Sequence, residues 1–231
     1  MIGPLINILV RTSNRENLFN RMLHSVAEQS YPYIRVIVAY DELEFITYVP
    51  DSCDVVLCRP NRRQKFFYNE YCNVLKAQVK EGWFFFLDDD DTLAHKHVIA
   101  NMVNHLINPH RAYIVQYLRN KVIKPSWLLS ERARISSGKI GLPCIWLHHT
   151  YKNLFELDPE FEDGDFRWIR SICVKLKPKF IQEVVVNCDR RSYGIPENEM
   201  EDYYSLISAF KYEKSNRNFK RKEQLKDYED N

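Results

Sequence analysis

Apolar residues come in short runs that alternate with longer stretches of helical periodicity, and this rhythm predicts a β-α-β order over the first half of the chain. Leu5 to Val10 is a β-type run. Ser13 or Asn14 can then cap a helix that carries Leu18, Phe19, Met22, Leu23 and Val26 on one face. Tyr31-Pro32 breaks the chain, and Ile34 to Tyr40 forms a second apolar strand ending at Asp41-Glu42. Asp54 to Cys58 predicts a third strand. The basic loop Arg59 to Lys65 leads from it into a helix with Phe67, Tyr71, Val74, Leu75 and Val79 inward. Trp83 to Leu87 is apolar at every position, as expected of a strand buried on both faces of a parallel sheet. A helix over about Lys96 to Leu106 follows, and Pro109 ends it.

From Ala112 onward the pattern is mixed. Tyr113 to Leu118 and Val122-Ile123 flank Arg119-Asn120-Lys121 like a hairpin. Ile145 to Leu147 and Phe180 to Asn187 read as strands, and Asp165 to Leu176 as a helix. The residues from 211 to 231 are highly charged, nearly free of aliphatics and without a core-facing stripe, which suggests a surface helix or tail.

With 231 residues, 45% hydrophobic and 28% charged, the chain is long enough for one well-buried core and short for two. The expectation is one domain over 1–210, its two halves being 1–110 and 111–210, with 211–231 as tail or linker. A net charge of +2 gives no argument for nucleic acid or an anionic membrane. The six cysteines form no CxxC pair and no zinc spacing, so they read as reduced packing residues. There is no signal-like start and no apolar run approaching ~18 residues, which points to a soluble, cytoplasmic protein with at most peripheral membrane contact. No Gly-rich phosphate loop is present.

The chemistry concentrates at Asp88-Asp89-Asp90-Asp91, directly after the Trp83 strand. Four adjacent carboxylates repel one another unless a cation or a basic partner is near. At the carboxyl end of a parallel strand, hard oxygen ligands suit Mg²⁺ or Mn²⁺, which can in turn hold a diphosphate. Other candidates are Arg62, Arg63 and Lys65 near phosphate, Arg190-Arg191 in a late loop, and the pairs His148-His149 and His95-x-His97. The acids Glu162, Asp163 and Asp165 also satisfy a helix N-terminus and have a structural reading of their own.

In this order the motifs resemble a family 2 glycosyltransferase of the GT-A fold over roughly Leu5 to Cys188. They are the first strand into Arg11-Thr12-Ser13-Asn14-Arg15, the segment Leu23 to Pro32, the strand into Asp41, the Asn73 helix, the Asp tetrad and Glu162-Asp163-Gly164-Asp165-Phe166. The resemblance implies an α/β fold with a Rossmann-like, mostly parallel central sheet flanked by helices, and a smaller mixed acceptor-side region. It implies a metal-dependent, inverting transferase that moves a sugar from a nucleotide-diphosphate sugar, UDP-sugar favoured, to a hydroxyl on a saccharide, lipid-linked or protein-linked glycan. By the same resemblance Arg11, Thr12, Asp41, Asn73, Asp88 and Asp89 contact the donor, Asp90 and Asp88 bind Mn²⁺ or Mg²⁺, and His148 completes the metal shell. Asp163 is the general base, with Asp165 or Glu162 as substitutes, and Asp89 or Asp91 can replace Asp90. The chain departs from the family at Tyr40-Asp41-Glu42-Leu43, where an acid-acid-Gly-Ser run is usual.

Two readings compete. Phe86-Leu87-Asp88-Asp89-Asp90-Asp91-Thr92 also fits the nucleophile motif of haloacid-dehalogenase-like phosphatases, with Asp88 attacking phosphorus and Asp90 as acid/base. About 80 residues precede it, however, where those enzymes carry the motif on their first strand. A catalytically inactive binding module of the same fold is the other.

Overall fold

A computed structural model describes residues 3–12, 15–41 and 47–188. The expected caps Ser13 and Asn14, the arginines Arg190 and Arg191, and the charged stretch from 211 lie outside these residues.

The first half is a run of parallel strands. Strand β1 (Ile6–Arg11) pairs with β2 (Ile34–Tyr40) on one side and β4 (Trp83–Phe86) on the other, and β2 pairs with β3 (Asp54–Leu57). The apolar sequence of β1 and β4 is explained by this central position, because Ile6, Ile8, Leu9 and Phe84, Phe85, Phe86 are buried whichever face they point to. Helix α1 (Glu16–Ala27) seats Phe19, Met22 and Val26 in the core, and α2 (Tyr68–Gln78) seats Tyr71, Cys72 and Leu75. Gly82 turns the chain into β4 at φ +75°, and a side chain there would strike the Leu5 carbonyl.

The second half continues the same sheet with changed direction. Strand β8 (Ile145–His148) is antiparallel to β4 and to β6 (Tyr113–Arg119). β6 also pairs in parallel with β9 (Lys179–Cys188) and forms the expected hairpin with β7 (Val122–Lys124), turning at Asn120 and Lys121 with positive φ. With β5 (Asp91–Leu93) at the far end, the strand order is β3-β2-β1-β4-β8-β6-β9-β5. Phe85 stacks on Trp146 at 4.0 Å across the seam between the halves.

Two elements depart from expectation. Asp91–Leu93 is a strand, β5, antiparallel to β9, where the sequence suggested only a connection from the tetrad to a helix. Three residues carry no periodicity, and only the partner strand makes them β. Helix α3 spans Val98–Val103, shorter than expected, although Leu106 beyond it is still buried. Helices α4 (Glu131–Arg134) and α5 (Gly164–Lys175) complete the elements. All six cysteines are free, and among the described residues no helix is long and apolar enough to cross a membrane.

Candidate active site

The parallel register brings the carboxyl ends of three strands to one edge: Leu9 lies beside Phe86, and Arg11 beside Ala39. At those ends lie Arg11-Thr12, Asp41 and the Asp tetrad, of which Arg11, Thr12, Asp41, Asp88, Asp90 and Asp91 line a cavity of about 810 Å³ with Tyr68, Tyr117 and Arg119. This is the edge at which open α/β sheets bind ligands.

The four aspartates have four different environments. Asp88 is gripped by a bidentate fork, Arg11 Nε to Oδ1 at 2.8 Å and Nη2 to Oδ2 at 2.7 Å. Asp89 turns away from the cavity and is fully buried, accepting from Thr12 Oγ1 at 3.0 Å and pairing with Arg15. Asp90 meets Arg15 Nη1 at 3.1 Å, and its carbonyl accepts from Arg21 Nη2 at 2.7 Å. Asp91, on β5, accepts from Cys188 Sγ at 3.1 Å. Burial pushes the Asp89 carboxyl up to about 6 against the opposing pull of Arg15 and Thr12. Asp91 is also raised well above the carboxylate range, by burial first and then by Asp88 and Asp90.

Asp88, Asp90 and Asp91 each offer a carboxylate oxygen, all within 4.8 Å of one another. Three hard anionic oxygens converging on one point fit a divalent ion of the Mg²⁺ or Mn²⁺ type. The structure therefore favours the register Asp88, Asp90, Asp91. Asp89 is placed otherwise than expected: its carboxylate is buried against Thr12 and Arg15, just ahead of α1, and does not line the cavity. The structure also corrects His148. Because β8 runs antiparallel, His148 pairs with Trp83 at the opposite edge, roughly 15 Å from Asp88. There its Nδ1 bonds Thr150 Oγ1 at 3.0 Å. His95 and His97 engage separate partners, Glu183 and Ser30.

Asp41 lines the same cavity, its side chain nearly inaccessible and paired with Arg62. Burial and then a bond to Asp41 raise the neighbouring Tyr71 hydroxyl. Of the three basic candidates in the loop, Arg62 lines the cavity and Arg63 and Lys65 do not.

Asn73 is placed differently from expectation. Its Nδ2 donates to the Leu157 carbonyl at 2.9 Å and its Oδ1 accepts from the Leu157 amide at 2.9 Å, so it reads a loop backbone and does not line the cavity. It belongs to a polar stripe on α2. Asn69 Nδ2 donates to the Asp158 carbonyl at 2.8 Å, and the buried Lys76 Nζ to the Phe155 carbonyl at 2.6 Å. These bonds fix residues 155–161, which deliver Glu162, Asp163 and Asp165 to the site. Gly164 has no room for a Cβ beside Asn69 and the Asp158 carbonyl.

A second cavity of about 670 Å³ adjoins the first and shares Tyr117, Arg119, Gly141, Glu162 and Asp165 with it. Asp163 lines only this second cavity, where Oδ1 accepts from Arg167 Nε at 2.7 Å. It is the N-cap residue of α5 but makes no side-chain capping bond. Asp165 stands at the junction of both cavities, its carboxyl raised by burial and by Asp88 and Asp163, against Arg11 and the Phe166 amide. Sequence reasoning missed Arg15 and Arg21 as partners of the tetrad. Their signal was one arginine at the N-cap of the helix following β1 and a second within that helix, near four acids.

A family model described as Glycosyl transferase family 2 matches residues 7–174. No curated protein matches the chain. Among solved structures, S. aureus TarS 1–349 in complex with UDP matches with a TM-score of 0.64 at 14% identity, over 89% of this chain and 64% of that one. Its complex with UDP-GlcNAc gives 0.62 at 15%, over 88% and 64%. The mannosyltransferase PcManGT from Pyrobaculum calidifontis in complex with GDP-Man and Mn²⁺ gives 0.58 at 15%, over 84% and 58%. The likeness is one of fold, and the chain spans less than two thirds of the length of each of these chains. The family match takes the place of the phosphatase reading.

Proposed function

The chain belongs to glycosyl transferase family 2, and from that premise we propose that it transfers a sugar from a nucleotide-diphosphate donor, UDP-sugar favoured, to a hydroxyl acceptor with inversion at the anomeric carbon. The observation that carries this reading is the meeting of two acid groups across one junction: Asp88, Asp90 and Asp91 on the donor side, and Asp163 and Asp165 on the other.

Asp88, Asp90 and Asp91 would hold Mn²⁺ or Mg²⁺, and a bound ion supplies charge neutralisation for the departing diphosphate. Asp41, Thr12 and the ring of Tyr68 bound the part of the cavity suited to the nucleoside. The acceptor enters from the smaller cavity, past Phe66, Phe161 and Phe166, whose apolar faces suit the faces of sugar rings. Its hydroxyl proton passes to the Asp163/Asp165 pair as the oxygen attacks opposite the leaving diphosphate. Asp163 is the residue the motif singles out; Asp165 has the junction position and the raised carboxyl, nearer to operating pH. A saccharide, lipid-linked or protein-linked glycan all provide such a hydroxyl.

Calorimetric titration of UDP, GDP and a UDP-sugar, with and without Mn²⁺, tests the reading. Metal-dependent binding of one nucleotide, followed by transfer to an acceptor, is expected. Binding without transfer to any hydroxyl acceptor would reduce the protein to a binding module.

A further inference from the structure

Arg11 and Asp88 satisfy one another through two parallel bonds, yet both line the larger cavity, with 23% and 30% of their side chains exposed. Asp90, the other cavity-lining acid of the tetrad with an arginine partner, receives a single bond, from Arg15 Nη1 at 3.1 Å. Arg15 also lines the cavity, but its fork grips Asp89, which is fully buried and off the cavity, and Arg21 binds a backbone carbonyl; these two contacts anchor the tetrad from behind. Arg11 gives its whole fork to one carboxylate of the Asp88, Asp90, Asp91 group. Its guanidinium lies over the Tyr68 ring at 5.6 Å, a face along which it can slide without losing all contact.

We propose that Arg11 is a displaceable counter-ion: it neutralises Asp88 in the empty site, and when a divalent ion takes that carboxylate it turns its fork onto the diphosphate of the donor. The inference rests on the reading of this cavity as the donor site. A guanidinium and a divalent ion on one carboxylate repel each other, so the arrival of the ion weakens the Arg11 bond. The diphosphate presents the same planar pair of acceptors that Asp88 gives up, and a guanidinium matches either. A guanidinium is not deprotonated in proteins, so the group arrives at the phosphate charged. The consequence is coupling: the bare ion competes with Arg11, and ion plus diphosphate together do not, so each strengthens the binding of the other.

The test is calorimetric titration of MnCl₂ alone, and of UDP at saturating Mn²⁺, into the wild type, Arg11→Gln and Arg11→Lys, with thermal unfolding as a check on folding. Arg11→Gln is expected to bind Mn²⁺ alone several-fold more tightly and UDP with Mn²⁺ about tenfold or more weakly, two changes of opposite sign. Arg11→Lys, which keeps the charge without the fork and carries the test if the glutamine variant does not fold, should lie between on UDP. If both affinities fall together, or if UDP binding is unchanged in both variants, the inference is overturned. Failure of the wild type to bind UDP or GDP overturns the donor reading instead, while the response of bare Mn²⁺ to Arg11→Gln still reports whether Arg11 competes for Asp88.

Discussion

The two sides of the junction hold their acids by different means. On the donor side Asp88, Asp89 and Asp90 are fixed by charge, through Arg11 and Arg15. On the acceptor side the loop that delivers Asp163 and Asp165 is fixed through its backbone, by Asn69, Asn73 and Lys76 of α2. The difference fits the function proposed for each side. A ligand that exchanges one counter-charge for another can be admitted by ion pairs that re-form, whereas a loop that carries a proton-accepting carboxylate is better positioned through its backbone than by ion pairs to that carboxylate. An ion pair on the acceptor side, Asp163 with Arg167, is solvent-exposed and weakly held.

The sharpest way to break this comparison is at the chemistry. Asp163→Asn combined with Asp165→Asn should lower turnover by about 10²- to 10⁴-fold while leaving calorimetric UDP binding in Mn²⁺ unchanged; the single variants rank the two acids. A loss of UDP affinity of the same size would dissolve the distinction between the sides. Next, Asp90→Asn should weaken Mn²⁺-dependent UDP binding by roughly 10- to 100-fold, read by the same titration, because a three-oxygen set loses one charged ligand.

Asn73→Ala leaves the amide and carbonyl of Leu157 without their partner and should cost about 1–3 kcal/mol in chemical denaturation. Turnover should fall with it and the affinity for UDP should not, which separates a loop-positioning role from donor contact. A smaller effect concerns pH. The Asp165 carboxyl is raised in the folded state, mainly by burial, so the folded chain binds this proton more tightly than the unfolded chain, and stability declines as pH rises through the interval between the two values. If Asp165 is the proton acceptor, the acid limb of the rate profile lies above the ordinary carboxylate range of about 3.9, and Asp165→Asn removes this part of the stability decline. Unfolding midpoints across pH 4 to 7 read it. Finally, His148→Ala should leave Mn²⁺ affinity unchanged, since β8 carries that residue to the opposite edge; any weakening would reopen its place in the metal shell.

The parallel half was legible because its signals are local and repeated. The runs Ile34 to Tyr40 and Trp83 to Phe86 are strands as expected, each long enough or apolar enough to be assigned alone. Arg11, Thr12, Asp41, Asp88 and Asp90 meet in one cavity because strand order places their ends at one edge, which the alternation of strand and helix already implied. The misplacements came from direction and side. His148 follows a strand as Asp88 does, but whether its strand runs with β4 or against it is not written in either segment. Asn73 stands on a helix near the site, and only the loop packed against that helix decides that its amide reads Leu157.

By itself, then, the sequence determined that the first half of this chain builds a parallel sheet buried on both faces, ends its central strand in four acids and is followed by a second acidic group, since those features depend on residue type and spacing within a few positions. Which carboxylates face a ligand, which arginines neutralise the rest, and that β5 exists at all were decided only in the tertiary structure. The reason is geometric. Adjacent aspartates have the same chemistry, and they become Asp89 buried against Thr12 and Arg15 and Asp88 facing the cavity only when helix and sheet close on them from opposite sides.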